Sequence, residues 1–205
     1  MQIAVIGWGS LIWCPGLLLI RTKWRPDGPL LPLEFARISR DGRLTLVIHP
    51  GSLDACTYWA LSAAETLPEA RKNLRVREAC SLQDIHSVAV QPQADNALSE
   101  IEARVNKWLL TRDGVEAAIW TGLTCNWKDK RDRSFTTEDA VRYLQELEDA
   151  KNSSAVILDH AREYVKNAPS QIQTRVRKAM QRVSGWEDTV LAPVLFEEKA
   201  DDAKM

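Results

Sequence analysis

At 205 residues the chain suits one domain, or one domain with a helical appendage, and it is long enough to bury a sizeable core without staples. Its residues are 45% hydrophobic and 27% charged, as in an ordinary globular protein, and a formal net charge of -1 gives no overall pull toward nucleic acid or an anionic membrane. The four cysteines (Cys14, Cys56, Cys80, Cys125) form no Cys-x-x-Cys pair, and His49, His86 and His160 lie far apart, so no metal site is expected and the thiols read as reduced. The opening segment from Met1 to Gly7 lacks a basic leader. The apolar run Leu17 to Ile20 ends at once on Arg21 and Lys23, so the expectation is cytoplasmic residence with no membrane partner.

In chain order, Gln2 to Ile6 reads as a short buried strand that stops at Gly7-Trp8-Gly9-Ser10. Pro26 to Pro32 reads as a connection. Glu34 to Ser39 and Leu44 to Ile48 are expected to be strands joined by a turn at Arg40-Asp41-Gly42, because Asp-Gly is a strong hairpin signal. Ala55 to Leu61 reads as one further strand, with β propensity from Tyr58 and Trp59. Thr66 and Glu69 form a capping box with Pro68 in the first turn, opening a helix that runs to about Val76. Ile85 to Val90 is another strand. Ser99 and Glu102 open a second helix, whose Ile101, Val105, Trp108 and Leu109 fall at helical spacing. Glu116 to Trp120 is the last clear strand.

From there helices are expected: Thr137 to Ala150, Ser153 to Lys166 and Pro169 to Val183, with apolar faces marked by Val141, Leu144 and Leu147, by Val156, Ile157, His160 and Tyr164, and by Ile172, Val176 and Met180. The charged tail from Glu197 reads as frayed. A strand-rich half followed by a helix-rich half predicts an α+β protein.

Two segments stand out chemically. Gly7-Trp8-Gly9-Ser10 after a buried strand is either a tight strand-exit turn or a cradle of backbone N–H groups for an anion or oxyanion. It is not a dinucleotide fingerprint, since Ile12 replaces the third glycine, and it lacks the Gly-Lys-Ser/Thr of a P-loop. Glu78, between a helix and a strand, is either a surface carboxylate paired with a nearby arginine or a partly buried base tuned toward neutral pH.

Glu34, flanked by Leu33 and Phe35, is either a second active-site carboxylate or a solvent-facing residue of an edge strand. Cys14 has no histidine in a recognisable pairing motif and reads as a buried thiol. Lys128 to Arg133 reads as a solvated loop, and Arg175, Arg177, Lys178 and Arg182 as a basic helix face.

Three segments together carry a family resemblance. Val5-Ile6-Gly7-Trp8-Gly9-Ser10-Leu11-Ile12-Trp13-Cys14-Pro15 resembles the opening of the ChaC-like γ-glutamylcyclotransferases. Leu74-Arg75-Val76-Arg77-Glu78-Ala79 resembles the segment that bears their catalytic glutamate, and Gly42 to Val47 looks like a strand that lies between the two. The resemblance covers roughly residues 1 to 92. It implies a small mixed β-barrel flanked by helices, with a barrel core over about 1–125; the helices over about 136–184, which the family does not match, read as a C-terminal elaboration within a single domain over 1–205.

It further implies cyclisation of a γ-glutamyl compound to 5-oxoproline with release of an amine or peptide, without cofactor or metal. Glu78 would be the general acid/base, and Gly7, Trp8, Gly9, Ser10 and Leu11 would hold a small γ-glutamyl substrate. Trp8 stands where the family has tyrosine, and the chain from Thr121 onward does not match, so glutathione specificity is not carried over. Two alternatives stay open: a non-catalytic small-molecule binding protein on the same fold, and an interaction protein using the basic C-terminal helix.

Overall fold

The structure, a computed structural model, describes residues 1–92, 98–149, 155–183 and 186, without side chains at 148–149 and 155–159. Its strands are β1 (Ile3–Gly7), β2 (Leu30–Ile38), β3 (Leu44–Ile48), β4 (Asp54–Cys56), β5 (Tyr58–Leu61), β6 (Ile85–Ala89) and β7 (Ala117–Thr121). Its helices are α1 (Leu67–Glu78), α2 (Glu100–Leu109), α3 (Trp127–Arg131), α4 (Thr137–Asp149), α5 (Ala155–Asn167) and α6 (Arg175–Met180).

All five residues of β1 are buried, because the strand is covered on both faces. Its side chains alternate between two cores. Ala4 and Ile6 face the larger core, while Ile3 and Val5 join Ala70 and Leu74 of α1 in the smaller one. β7 runs parallel to β1 and divides in the same way, with Ala118 and Trp120 on one side and Ala117 and Ile119 on the other. β5 and β6 pair antiparallel at the outer edges, giving a four-stranded sheet in the order β5-β1-β7-β6.

A three-stranded sheet, β3-β2-β4, faces the first across the larger core through Leu31, Leu33, Phe35, Leu44 and Leu46. The fold is therefore α+β, as the sequence predicts. Among the described residues, however, the strands form two sheets and do not close into the expected barrel.

A second difference lies at Thr57. The segment expected as one strand from Ala55 to Leu61 changes sheets there. Thr57 is fully buried, and both its N–H and its hydroxyl donate to the Pro29 carbonyl. β2 also starts earlier than expected. Leu30 to Pro32 already pair with β4, while Leu33 to Ile38 pair with β3.

The predicted capping boxes of α1 and α2 form: the N–H and hydroxyl of Thr66 both reach Glu69, and those of Ser99 reach Glu102. The segment expected as a solvated loop at 128–133 is largely the short helix α3, anchored by buried Trp127.

The C-terminal helices and the segments beside them share the larger core through Tyr143, Leu144, Ala161, Tyr164, Val165, Ile172, Val176, Met180 and Trp186. The helix expected from Pro169 to Val183 is reduced to α6, because its start is fixed from outside. Thr174 accepts from Arg177 N–H at 3.1 Å, and the Glu34 carboxylate accepts from the N–H groups of Arg175 (3.0 Å) and Val176 (3.3 Å). The basic face is also corrected. Arg177 is buried and donates to the Pro169 and Ile172 carbonyls, leaving Arg175, Lys178 and Arg182 exposed. Val156, Ile157 and the tail from Glu197 lie outside the described side chains. Among the described residues no helix is long and apolar enough to cross a membrane.

Candidate active site

A cavity of about 680 Å³ lies between the C-terminal ends of β1 and β7, the β2–β3 hairpin and the end of α1. Its walls include the loop residues Trp8, Gly9, Ser10 and Leu11, and Glu78 from the last position of α1. Two segments some seventy positions apart in sequence thus meet because β1 and β7 are parallel neighbours and α1 packs on the smaller-core face they share.

The loop glycines owe their identity to neighbours rather than to the turn, since neither has a positive φ. Gly7 stands outside the cavity lining, and a Cβ there would sit 3.0 Å from the Trp24 ring. A Cβ on Gly9 would sit 2.5 Å from the Tyr164 hydroxyl. Beyond Gly9 the loop closes on itself, with Ile12 N–H donating to the Gly9 carbonyl and Cys14 N–H to the Ser10 carbonyl. The Trp8 indole lines the cavity, but its N–H is engaged by the Leu46 carbonyl of β3 at 3.3 Å, tying the loop to the opposite sheet.

Glu78 is 18% exposed at its side chain. Burial raises its pKa above the usual glutamate value, against the opposing pull of Arg77. Desolvation outweighs the arginine, which is not directed to bulk water. Arg77 donates to the carbonyls of Cys14 (2.6 Å) and Pro15 (2.9 Å) and to Ser10 Oγ (3.3 Å), with Glu78 Oε1 at 3.4 Å. Its charge is shared among these acceptors, which weakens its hold on Glu78.

Arg77 therefore clasps the loop and the carboxylate together. In Arg77→Gln the one opposing charge is gone, so the Glu78 ionisation moves to still higher pH. A titration of Glu78 followed by carboxyl NMR in both proteins checks this, and an unchanged or lower midpoint contradicts it.

Glu34 belongs to neither place foreseen for it. It is buried on β2, the middle strand of its sheet, outside the cavity lining. Its carboxylate accepts from the N–H of Phe35 as well as those of Arg175 and Val176. Cys14 is exposed rather than buried.

Sequence reasoning missed three groups at the cavity. The Cys80 thiol lines the wall, and burial pushes its pKa up to about 11. Thr121, ending β7, presents a buried hydroxyl that has no hydrogen-bond partner among the described residues. Tyr164 enters from α5, which pattern reading placed on an apolar face. No local signal distinguishes Tyr164 from a core aromatic; the strand-end position of Thr121 is the one clue to its place. Among the described residues no cluster of His, Cys, Asp or Glu is placed to hold a metal ion. No family model matches the chain, and neither does any curated protein or solved structure.

Proposed function

We propose that the protein cyclises a γ-glutamyl compound to 5-oxoproline with release of the attached amine, using Glu78 as general acid/base. The reading is supported above all by the shared cavity, in which one partly buried carboxylate with a raised pKa faces the loop that follows β1. The resemblance of residues 5–15 and 74–79 to the ChaC-like γ-glutamylcyclotransferases gives the reaction type.

The chemistry asks for little else. The substrate carries its own nucleophile, so a base that frees the α-amine and donors for the oxyanion suffice. Glu78 takes a proton from the α-ammonium, and the nitrogen attacks the γ-carbonyl carbon. The new C–N bond closes the five-membered ring and places negative charge on the carbonyl oxygen, beside the loop. Collapse of this intermediate breaks the bond to the leaving nitrogen. Of the three protons on the α-ammonium, one stays on the lactam nitrogen and two pass to the departing amine. Glu78 is their carrier.

The test is a panel of γ-glutamyl amino acids, peptides and amines, assayed for 5-oxoproline in the presence and absence of EDTA. At least one compound is expected to be turned over, at a rate unchanged by the chelator. Activity lost in EDTA and restored by one divalent ion contradicts the metal-free mechanism. A panel that yields no 5-oxoproline contradicts the reaction itself.

A further inference from the structure

The buried tyrosines of the C-terminal helices are used differently. Tyr143 donates its hydroxyl proton to the Gly42 carbonyl at 2.5 Å and so serves the fold. Tyr164 is held as firmly: its ring meets Trp13 edge-on at 5.4 Å and Phe35 at 6.3 Å, with the Arg43 guanidinium 5.8 Å above its face. Its hydroxyl, however, is directed at the loop following β1, close enough that a Cβ at position 9 would sit 2.5 Å from it. It lines the cavity that holds Glu78. Among the described residues no oxygen accepts its proton, and a buried tyrosine hydroxyl normally has an acceptor.

We propose that Tyr164 is a substrate-contacting residue, whose hydroxyl donates to the oxyanion that forms beside the Gly9–Leu11 loop. This rests on the cyclotransferase reading and deepens it: the C-terminal helices complete the site. The loop lacks a side-chain hydroxyl at position 8, where Trp8 spends its N–H on Leu46, and Tyr164 brings one to the neighbouring position.

The electrostatics keep that hydroxyl a donor. Burial, followed by the Glu78 charge, pushes the Tyr164 pKa up to about 12, against the Ser10 and Leu46 backbone N–H groups, which favour the phenolate, and the charge of Arg43. The phenol is therefore protonated throughout the range in which Glu78 works as a base.

The same contact makes Gly9 and Tyr164 a matched pair. In Gly9→Ala the new methyl meets the hydroxyl. In Gly9→Ala/Tyr164→Phe the nearest ring atom, Cζ, lies 3.6 Å from that Cβ, an ordinary contact. Gly9→Ala alone should lower the melting temperature, and Tyr164→Phe should restore it.

The experiment measures melting temperature and steady-state 5-oxoproline formation for the wild type, Tyr164→Phe, Gly9→Ala and the double variant. Tyr164→Phe should melt like the wild type and lose about 10²–10³-fold in kcat, the usual worth of one oxyanion donor, with a much smaller change in KM. The double variant should recover its fold but not its turnover.

As a second probe, a ring-fluorinated tyrosine at position 164 keeps the packing and lowers the phenol pKa, so the alkaline limb of the kcat profile should move to lower pH. An undiminished kcat in Tyr164→Phe, or an unmoved alkaline limb with the fluorinated residue, overturns this inference and leaves the cyclotransferase reading standing. A wild type that forms no 5-oxoproline from any γ-glutamyl compound overturns both.

Discussion

Glu78→Gln is expected to lower turnover of a γ-glutamyl substrate by about 10²–10⁴-fold, the range over which a positioned general base contributes. The amide keeps the shape of the side chain at the end of α1 and cannot accept the ammonium proton, so ligand affinity should change far less than kcat. The variant should also be at least as stable as the wild type at neutral pH. A carboxyl group whose pKa is raised by burial binds its proton more tightly folded than unfolded. Its contribution is therefore favourable below the ordinary glutamate pKa of 4.5 and is lost as pH rises through the folded value. The neutral amide avoids that loss. Thermal melts at pH 7 together with kcat separate the two effects. Near-wild-type turnover, or a melting temperature that falls along with turnover, contradicts the assignment.

Glu34→Ala should cost stability rather than chemistry. Its carboxylate satisfies three backbone N–H groups, those of Phe35, Arg175 and Val176, and its residue is 1% exposed. Removing it strands those donors and unpins the start of α6, an expected loss of about 3–5 kcal/mol in denaturant unfolding. Glu34→Gln keeps an acceptor oxygen and should lose about 1–2 kcal/mol, with turnover per folded molecule unchanged because the side chain lies outside the cavity. A Glu34→Ala protein as stable as the wild type rules out the pinning role. A folded Glu34→Gln protein without turnover puts this residue back among the candidate acids.

These two glutamates show what local sequence carries and what it does not. Buried β1 and β7, the Asp41-Gly42 hairpin and the capping boxes at Thr66 and Ser99 are short-range features, and each forms within a residue or two of expectation. The meeting of Glu78 with the loop after β1 was visible through the family resemblance alone, since no spacing rule joins residues 10 and 78.

The misreadings come from contacts that no local pattern specifies, most of them distant in sequence. The segment 55–61 is split because Thr57 binds Pro29 from another part of the chain. α6 starts late because Glu34, 141 positions away from Arg175, joins Thr174 in accepting from its first N–H groups. Arg177 reads as surface charge until the Pro169 and Ile172 carbonyls are seen around it. The loop glycines look like turn residues and prove to be fitted to Trp24 and Tyr164.

The central claim is intramolecular aminolysis in the Glu78 cavity. Its most direct test is turnover of a γ-glutamyl substrate in ¹⁸O-labelled water, with products resolved by mass spectrometry. Attack by the substrate's own amine predicts unlabelled 5-oxoproline in equal amount to the released amine, formed about 10²–10⁴-fold more slowly in Glu78→Gln. Glutamate carrying ¹⁸O in its γ-carboxylate would show that water is the nucleophile, and would contradict the account.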